Sequence, residues 1–311
     1  IFIEFDISYS FNTESAEKMM KKMDAVAEKV ISKFDEDTST YSKILYIHDY
    51  IVGHTVYDES LNSAHSAYGS MIAGKSVCEG YARAFGYICS KAGIKTVNVV
   101  GTATADDGHT ENHMWNKVYL KKQWYDLDLT WDDPVMPYVE NKSYKYFLPG
   151  SATFANSHKP CNTSLSYPKS TDDTSMNYYA RKKLVAEDNS SAYSLLVSQI
   201  AKAAKNGHSV ATIKLSDSSA FNSFKNYLEK DEYGKLFSLL SDANKKTKVK
   251  LVTDRFYGYI TDQKSLTVTV YFMMKNTTLS DYYTDVSSVS SDEIQFFKDA
   301  GITNSKSKKA A

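Results

Sequence analysis

The chain has 311 residues, which is more than one average domain contains. Its hydrophobic fraction of 42% is enough for a substantial core. Its 37 Lys and Arg balance its 37 Asp and Glu, which argues against a nucleic-acid-binding protein. No stretch approaches the roughly 20 apolar residues that a membrane helix needs. Three cysteines are too few, and odd in number, for a disulfide framework.

The first 37 residues predict a strand and a helix. Residues 1–11 alternate between apolar and polar, which is typical of a half-buried strand, and Thr13 is the predicted N-cap of the helix that follows. A strand without a neighbouring partner suggests a remnant of an upstream domain, from which we expect that an N-terminal segment has been removed. A second helix carries Tyr41 to Ile51 and ends at Gly53. His48 lies in its apolar stripe and is predicted to be a packed, hydrogen-bonded core residue.

Residues 38–150 are the predicted catalytic core. The pattern is a helix from Ser76, its predicted N-cap, to Ala92, followed by strands at 96–101, 113–120 and 124–130. Residues 151–180, rich in Ser, Thr, Asn, Asp and Pro, predict a loop or linker.

A small second α+β domain is predicted at 181–300, followed by a disordered tail at 301–311. Its pattern is a helix at 191–205, a strand at 211–215, a helix at 220–244 and a hairpin of 249–261 with 266–272. The sequence of this domain shows no cluster of reactive side chains. We therefore expect it to dock substrate or to position the catalytic domain.

Cys78 is the candidate nucleophile because it lies at a helix start. The partial positive charge and the unsatisfied N–H groups there stabilise a thiolate and can hold a developing oxyanion. The alternative is a buried structural cysteine, and position alone does not decide between the two. Cys89 lies on the same helix face about 16 Å further along and is predicted to be core.

His113 and Asp128 lie on two strands that can form a hairpin. If the chain turns at Lys121-Lys122, Asp128 faces Trp115 and His113 is its diagonal neighbour on the same face. A four-residue loop would instead pair His113 directly with Asp128. Two-residue turns prefer residues that adopt positive φ readily, such as Asn-Gly or Asp-Gly, and Lys-Lys does not, so both registers stay open. Taken singly, the two residues are also compatible with a strand-end histidine and a turn aspartate.

Together the three residues supply a nucleophile, a base and a carboxylate to orient the base. The surrounding motifs resemble the transglutaminase-like superfamily, whose members share a papain-like cysteine-peptidase core. The resemblance covers about residues 40 to 150 and lies in Gly74-Lys-Ser-Val-Cys78-Glu-Gly-Tyr-Ala, His113-Met-Trp-Asn and Trp124-Tyr-Asp-Leu-Asp128-Leu-Thr-Trp-Asp-Asp-Pro134, with Ile47-His-Asp-Tyr50, Tyr57-Asp58 and Ser66-Ala-Tyr-Gly69 upstream. It implies that Cys78 is the nucleophile, His113 the base and then the acid, and Asp128 the orienting carboxylate.

The chain departs from many relatives at Met114, where they have Ala, and at Lys121-Lys122, where they have Asp-Gly. Neither change removes a reactive atom. No motif marks the family's upstream oxyanion donor; Tyr57 is the candidate, with a loop aromatic as the equal alternative. Trp115 and Trp131 are candidates to wall the cleft, although core packing explains them equally well.

Other site types fit less well. His109 and His113 are four apart but precede or begin a strand, where such residues do not converge on a metal, and the glutamate between them is misplaced for a zinc protease. No phosphate-binding glycine motif is present. We therefore predict neither a metal nor a cofactor.

The predicted function is cysteine-dependent acyl transfer on a peptide or protein amide through a thioester, with hydrolysis favoured. The alternatives are protein cross-linking by transfer to an amine, and a non-catalytic binding module of the cell envelope on the same scaffold. The Tyr-, Ser-, Thr- and Lys-rich composition is typical of a secreted bacterial protein, so we expect an extracellular or cell-surface location.

Overall fold

The structure is a computed structural model that describes residues 12–133, 142–161, 166–256, 258–283 and 285–302. The strand predicted at 1–11 and most of the predicted tail lie outside these residues. The helices are α1 Thr13–Ile31, α2 Thr40–Val52, α3 Cys78–Lys91, α4 Ser151–Phe154, α5 Tyr178–Arg181, α6 Asn189–Lys205, α7 Ser218–Lys245 and α8 Ser291–Asp299. The strands are β1 Val56–Tyr57, β2 Lys75–Ser76, β3 Thr96–Thr104, β4 Thr110–Leu120, β5 Gln123–Leu127, β6 His158–Pro160, β7 Val185–Ala186, β8 Val210–Leu215, β9 Gly258–Asp262 and β10 Thr267–Tyr271.

The strands form two four-stranded sheets and a short parallel ribbon. The sheets have the orders β5-β4-β3-β6 and β7-β8-β10-β9, and β1 pairs with β2 in parallel. The β4–β5, β8–β10 and β9–β10 pairs are antiparallel, and β7 runs parallel to β8. This mixture confirms the predicted α+β class. No described helix combines the length and the apolar character required to cross a membrane.

By internal contacts the chain divides into two units. The first contains the described residues of 12–102, 112–133 and 160–171, and the second contains those of 103–111, 134–159 and 172–302. The segment 103–111, which contains the end of β3, the loop and the start of β4, therefore groups with the C-terminal residues although it lies inside the predicted catalytic core.

The first unit is built around α2 and α3. Each helix buries one apolar stripe, as its 3.6-residue periodicity predicts. The fully buried members of the two stripes are Ile44, Ile47, Ile51, Tyr81, Phe85 and Ile88. The N-cap of α1 is Asn12, whose side chain accepts from the N–H of Ser15, and not Thr13 as predicted. The two residues are adjacent and both are good caps, so the sequence does not discriminate between them.

Gly80 lets α3 lie against the chain that precedes it. A Cβ at this position would lie 1.8 Å from Ser76 Oγ, 2.6 Å from the Ala64 carbonyl oxygen and 2.8 Å from that of Ser66. Two of these three atoms belong to backbone, which cannot move aside cheaply. The glycine after Cys78-Glu is therefore required by close packing and not by an unusual backbone angle.

We expect Gly80→Ala to lower the free energy of unfolding by about 2 to 4 kcal/mol, because the new methyl group forces backbone to shift in a packed interior. Gly86→Ala is the matched control on the same helix, since its new Cβ meets only side chains, with Asn98 Oδ1 at 3.1 Å and Thr96 Oγ1 at 3.6 Å. The control should be neutral or stabilising, because alanine is favoured over glycine in a helix by about 1 kcal/mol. Urea denaturation measures both; equal effects of the two changes would contradict the packing argument.

The second unit packs α6 and α7 on the sheet β7-β8-β10-β9. Ala211, Ile213 and Leu215 lie on the buried side of β8, as the alternation predicts. They join one apolar cluster with residues of the two helices and of β10, among them Leu196, Ile200, Phe221, Phe224, Leu240, Val268 and Val270. The hairpin is shorter than predicted on its first strand, β9, which spans Gly258–Asp262.

Residues 151–180 contain more structure than a linker. They include α4, β6 and α5, and within the first unit Ser170 forms a β-bridge with Trp124. Thr171 N–H donates to the carbonyl oxygen of Trp124 at 2.8 Å. These elements are too short for a periodic pattern to reveal, because contacts with distant residues, and not local propensity, hold them in place.

Candidate active site

Cys78 is the first residue of α3. The N-cap is Val77, and no side chain caps the helix. The predicted cap, Ser76, is buried and donates its hydroxyl to the Ala64 carbonyl oxygen at 2.6 Å. Ser76 is therefore used to fix the preceding loop, and the predicted cap is wrong. The first N–H groups of the helix are therefore not occupied by a capping side chain.

The three cysteines differ in accessibility. Cys78 is half-buried, Cys89 is buried and Cys161 is exposed, and all three are free thiols. Burial raises the pKa of Cys89 well above the ordinary thiol value, so this residue is an inert core cysteine, as predicted. Among the three, Cys78 combines access with a helix start.

The hairpin of β4 and β5 has the register that a two-residue turn predicts. Asn116 pairs with Leu127 and Leu120 with Gln123, so facing residues sum to 243 and the alternative register is wrong. Lys121 and Lys122 form the turn with φ of 48° and 63°. Both are in the left-handed region that such turns require, although lysine is an unfavourable residue there. The packing of both strands outweighs the cost of this turn.

This register places His113 and Asp128 in contact. His113 Nε2 lies 2.8 Å from Asp128 Oδ2, and both side chains are about 1% exposed. Because a carboxylate can only accept, Nε2 carries a proton and Nδ1 is the nitrogen that can exchange a proton with a thiol. Cys78 is among the groups that raise the pKa of His113, so the three predicted residues interact in one cluster.

The second oxygen of Asp128 is held by backbone. Oδ1 accepts from the N–H groups of Thr130, at 2.9 Å, and Trp131, at 3.3 Å. A carboxylate that caps a turn in this way has little rotational freedom. Asp128 therefore offers Oδ2 to His113 in a single orientation.

The imidazole of His113 is stabilised as a cation. Burial by itself would lower its pKa, but the charge and hydrogen bond of Asp128, together with Cys78, outweigh burial and raise the pKa of His113 to about 10. The cluster therefore places a protonated base next to a cysteine, and such a base can give its proton to a leaving group.

The three weaker candidates lie at different distances from the chemistry. Tyr57 is 38% exposed and pairs with Ser76, two residues before Cys78. The Trp131 ring lies 5.7 Å from that of His113. Trp115 is buried and donates its indole N–H to Asp126 Oδ1 at 3.3 Å. Tyr57 thus pairs with the segment that precedes Cys78, and Trp131 lies beside His113. Trp115 is a core residue whose ring lies 6.4 Å from that of His113.

Sequence reasoning missed two further polar contacts around the same turn. His48 Nε2 lies 3.2 Å from Asp132 Oδ2, with both side chains fully buried, and the Tyr81 hydroxyl donates to Asp133 Oδ2 at 2.7 Å. The signal was present in Ile47-His-Asp-Tyr50 and in the two aspartates after Trp131. The sequence predicts a hydrogen-bonded core histidine at position 48 but cannot show its partner, which is 84 residues away.

Comparison with known proteins finds a family model and relatives that match part of the chain. Residues 13–129 match the family model of the Transglutaminase-like superfamily. The chain is 28% identical over 173 residues to the Kyphoscoliosis peptidase of Mus musculus, a match that covers 47% of this chain and 26% of the mouse protein. It is 32% identical over 101 residues to the human protein of that name, covering 28% of this chain and 15% of the human one. The match therefore spans about a quarter or less of these curated relatives.

Among solved structures, the chain is similar to one described as a TGase. The identity is 18% and the TM-score 0.33, and the match covers 39% of this chain and 34% of that one.

Proposed function

Because residues 13–129 form a transglutaminase-like core, which supports cysteine-based catalysis, we propose that the protein cleaves amide bonds by acyl transfer to Cys78. The observation that supports this most strongly is the buried His113–Asp128 contact of 2.8 Å, and Cys78 adds to the raised pKa of the same imidazole. Each group in this cluster has one of the three roles that thiol acyl transfer requires.

In the first half of the proposed reaction, the Cys78 thiolate attacks the carbonyl carbon of a bound amide. The N–H groups at the start of α3 stabilise the negative oxygen of the tetrahedral intermediate. The imidazolium of His113 then gives its Nδ1 proton to the leaving nitrogen. The C–N bond breaks, an amine departs, and the acyl group stays on sulfur as a thioester.

In the second half, water attacks the thioester. His113 is now neutral and accepts a proton from this water through Nδ1, so the C–S bond breaks and a carboxylic acid leaves. Asp128 holds Nε2–H throughout and stabilises each cationic state of the ring. The net reaction is amide hydrolysis, and we propose a peptide or protein as substrate and an extracellular site of action.

A primary amine can replace water as the acyl acceptor. Incubating the protein with a peptide library, with and without glycine ethyl ester, separates the two outcomes by product mass. We expect free acids in both incubations, with water as the main acceptor. Products that carry the amine in place of the acid would instead assign a cross-linking activity to the same residues.

The reactivity of Cys78 tests the site without a known substrate. At pH 6 an ordinary thiol is ionised to well under 1%, whereas a thiol paired with an imidazolium is largely ionised. Iodoacetamide should therefore alkylate Cys78 about 10- to 100-fold faster than the exposed Cys161, and Cys89 should react slowest. Peptide mass spectrometry over a time course gives the three rates.

Cys161 is the internal control, since it is the more exposed thiol and has no predicted role. Equal rates at Cys78 and Cys161 would contradict the proposed thiolate–imidazolium pair. His113→Gln should remove the advantage of Cys78 and leave the rate at Cys161 unchanged.

A further inference from the structure

The turn after β5 is fixed by side chains from both principal helices of the first unit. Asp132 N–H donates to the Asp128 carbonyl oxygen at 3.2 Å and Asp133 N–H to that of Thr130 at 3.1 Å, so residues 128–133 form one compact turn. Asp132 contacts His48 of α2, and Asp133 contacts Tyr81 of α3. The orientation of Asp128 is therefore coupled to the positions of both helices.

His48 is held on both sides by acceptors. Its Nδ1 lies 3.1 Å from Asp49 Oδ1 and its Nε2 lies 3.2 Å from Asp132 Oδ2. Since carboxylates only accept, this arrangement suits a doubly protonated ring. Burial opposes that charge, but the two aspartates outweigh burial and raise the pKa of His48. The ring is thus a cation with two fixed anionic contacts.

A buried ion pair of this kind is an expensive way to stabilise a core. Removing both charges from water costs about as much as their attraction returns, and apolar residues of similar volume often do as well or better. What such a pair supplies is one defined geometry, because both of its hydrogen bonds are directional. At this position the geometry is that of the turn that carries Asp128.

We propose that His48 is a positioning residue for the active site: through its contact with Asp132 it holds the turn 128–133 so that Asp128 meets His113. This inference rests on the proposed function, since it assigns the turn a role in orienting the base. His48 does not contact the reacting atoms. It acts through Asp132 and Asp128, and Tyr81 supports the same turn from the other side.

The test uses the pH profile of Cys78 alkylation by iodoacetamide, measured in a Cys161→Ser background. We expect His48→Leu and Asp132→Asn to move the midpoint of the profile upward by about one pH unit, which is about a tenfold loss of rate at pH 6. His48→Gln should restore much of the rate, because the glutamine amide can donate from nearly the position of Nε2. Asp132→Asn leaves the side-chain volume almost unchanged, so it can provide the same measurement if His48→Leu fails to fold.

His54→Gln is the control. His54 is an exposed histidine of the first unit, and its Nε2 contacts the Met71 carbonyl oxygen at 3.1 Å and not the turn. It should leave the midpoint unchanged even if it lowers the melting temperature. A His48 variant that lowers the melting temperature but keeps the wild-type midpoint would overturn the inference.

A double-mutant cycle with Asp128→Asn separates this inference from the proposed function. If His48 acts through Asp128, the double variant should have the midpoint of Asp128→Asn alone; full additivity would overturn the positioning role. If Asp128→Asn shifts the profile and the His48 variants do not, only this inference fails. If Asp128→Asn itself shifts nothing and, in the chain that retains Cys161, Cys78 reacts no faster than Cys161, the proposed function fails and the inference with it.

Discussion

Replacing Cys78 by alanine is expected to abolish amide cleavage, with a fall in kcat of at least about 10⁴-fold. The reason is chemical: alanine has no atom that can form the thioester, and the His113–Asp128 contact alone offers only a general base. Because Cys78 is half-buried at a helix start, where alanine is well tolerated, the fold should persist. Product release from a peptide library, followed by mass spectrometry, measures the loss.

Cys89→Ala is the matched control, since it is the same substitution on the same helix. Cys89 is fully buried, so this change should lower the melting temperature by leaving a small cavity. Its cleavage rate should stay within about twofold of wild type at a temperature where both are folded. Residual turnover by Cys78→Ala at the wild-type rate would refute the nucleophile assignment, even though an activity exists.

The second large effect is expected for Asp128→Asn. The asparagine oxygen can still accept from Thr130 and Trp131, so the turn should be retained. Its amide nitrogen, however, faces His113 Nε2 as a donor, which moves the ring proton to Nδ1 on the side of Cys78. The ring then cannot accept the thiol proton, and it loses the negative charge that stabilises its cation.

In this variant we expect iodoacetamide to alkylate Cys78 at least about tenfold more slowly at pH 6, and the midpoint of the pH profile of alkylation to move to higher pH. Asp126→Asn is the matched control, because Asp126 is also a buried aspartate of β5 but contacts Lys117 and Trp115. It should reduce stability without moving the alkylation profile. Identical profiles for Asp128→Asn and wild type would show that Asp128 does not govern the base.

The same change should alter the pH dependence of stability. The pKa of His113 is raised to about 10, above its ordinary value of 6.5. Protonated His113 therefore stabilises the folded state fully below about pH 6.5, because the folded state binds the proton more tightly than the unfolded state. This contribution is lost as the pH rises toward 10. Urea denaturation should show a decline on the order of a few kcal/mol over this window. Asp128→Asn should flatten this decline relative to Asp126→Asn.

Much of the site follows from local sequence. A cysteine at a predicted helix start, and a histidine and an aspartate on adjacent strands, are patterns with short range and a clear physical basis. The hairpin register is only partly local: alternation predicts two possible registers, and Lys121-Lys122 argues against the one that forms. Only the tertiary structure decides the register, because the two alternatives differ by two residues and bury the same apolar faces, so alternation cannot choose between them.

The short elements between 151 and 180 could not be predicted. Their residues are polar and without period, and Ser170 takes its place beside Trp124 through a single β-bridge to a strand 46 positions earlier in the chain. The prediction that Ser76 is the N-cap of α3 is wrong for a related reason. Ser76 is a good cap by residue type, but its hydroxyl is used by Ala64 across a loop.

By itself the sequence determined the α+β class and predicted a nucleophile and its two partners, because helix starts, strand alternation and residue chemistry are local properties. Only the tertiary structure decided how the turn after β5 is supported. His48 is 84 residues from Asp132, and Tyr81 is 52 residues from Asp133. Such contacts depend on how helices pack, which no local pattern encodes. Packing makes the histidine of α2 a neighbour of the turn that carries Asp128.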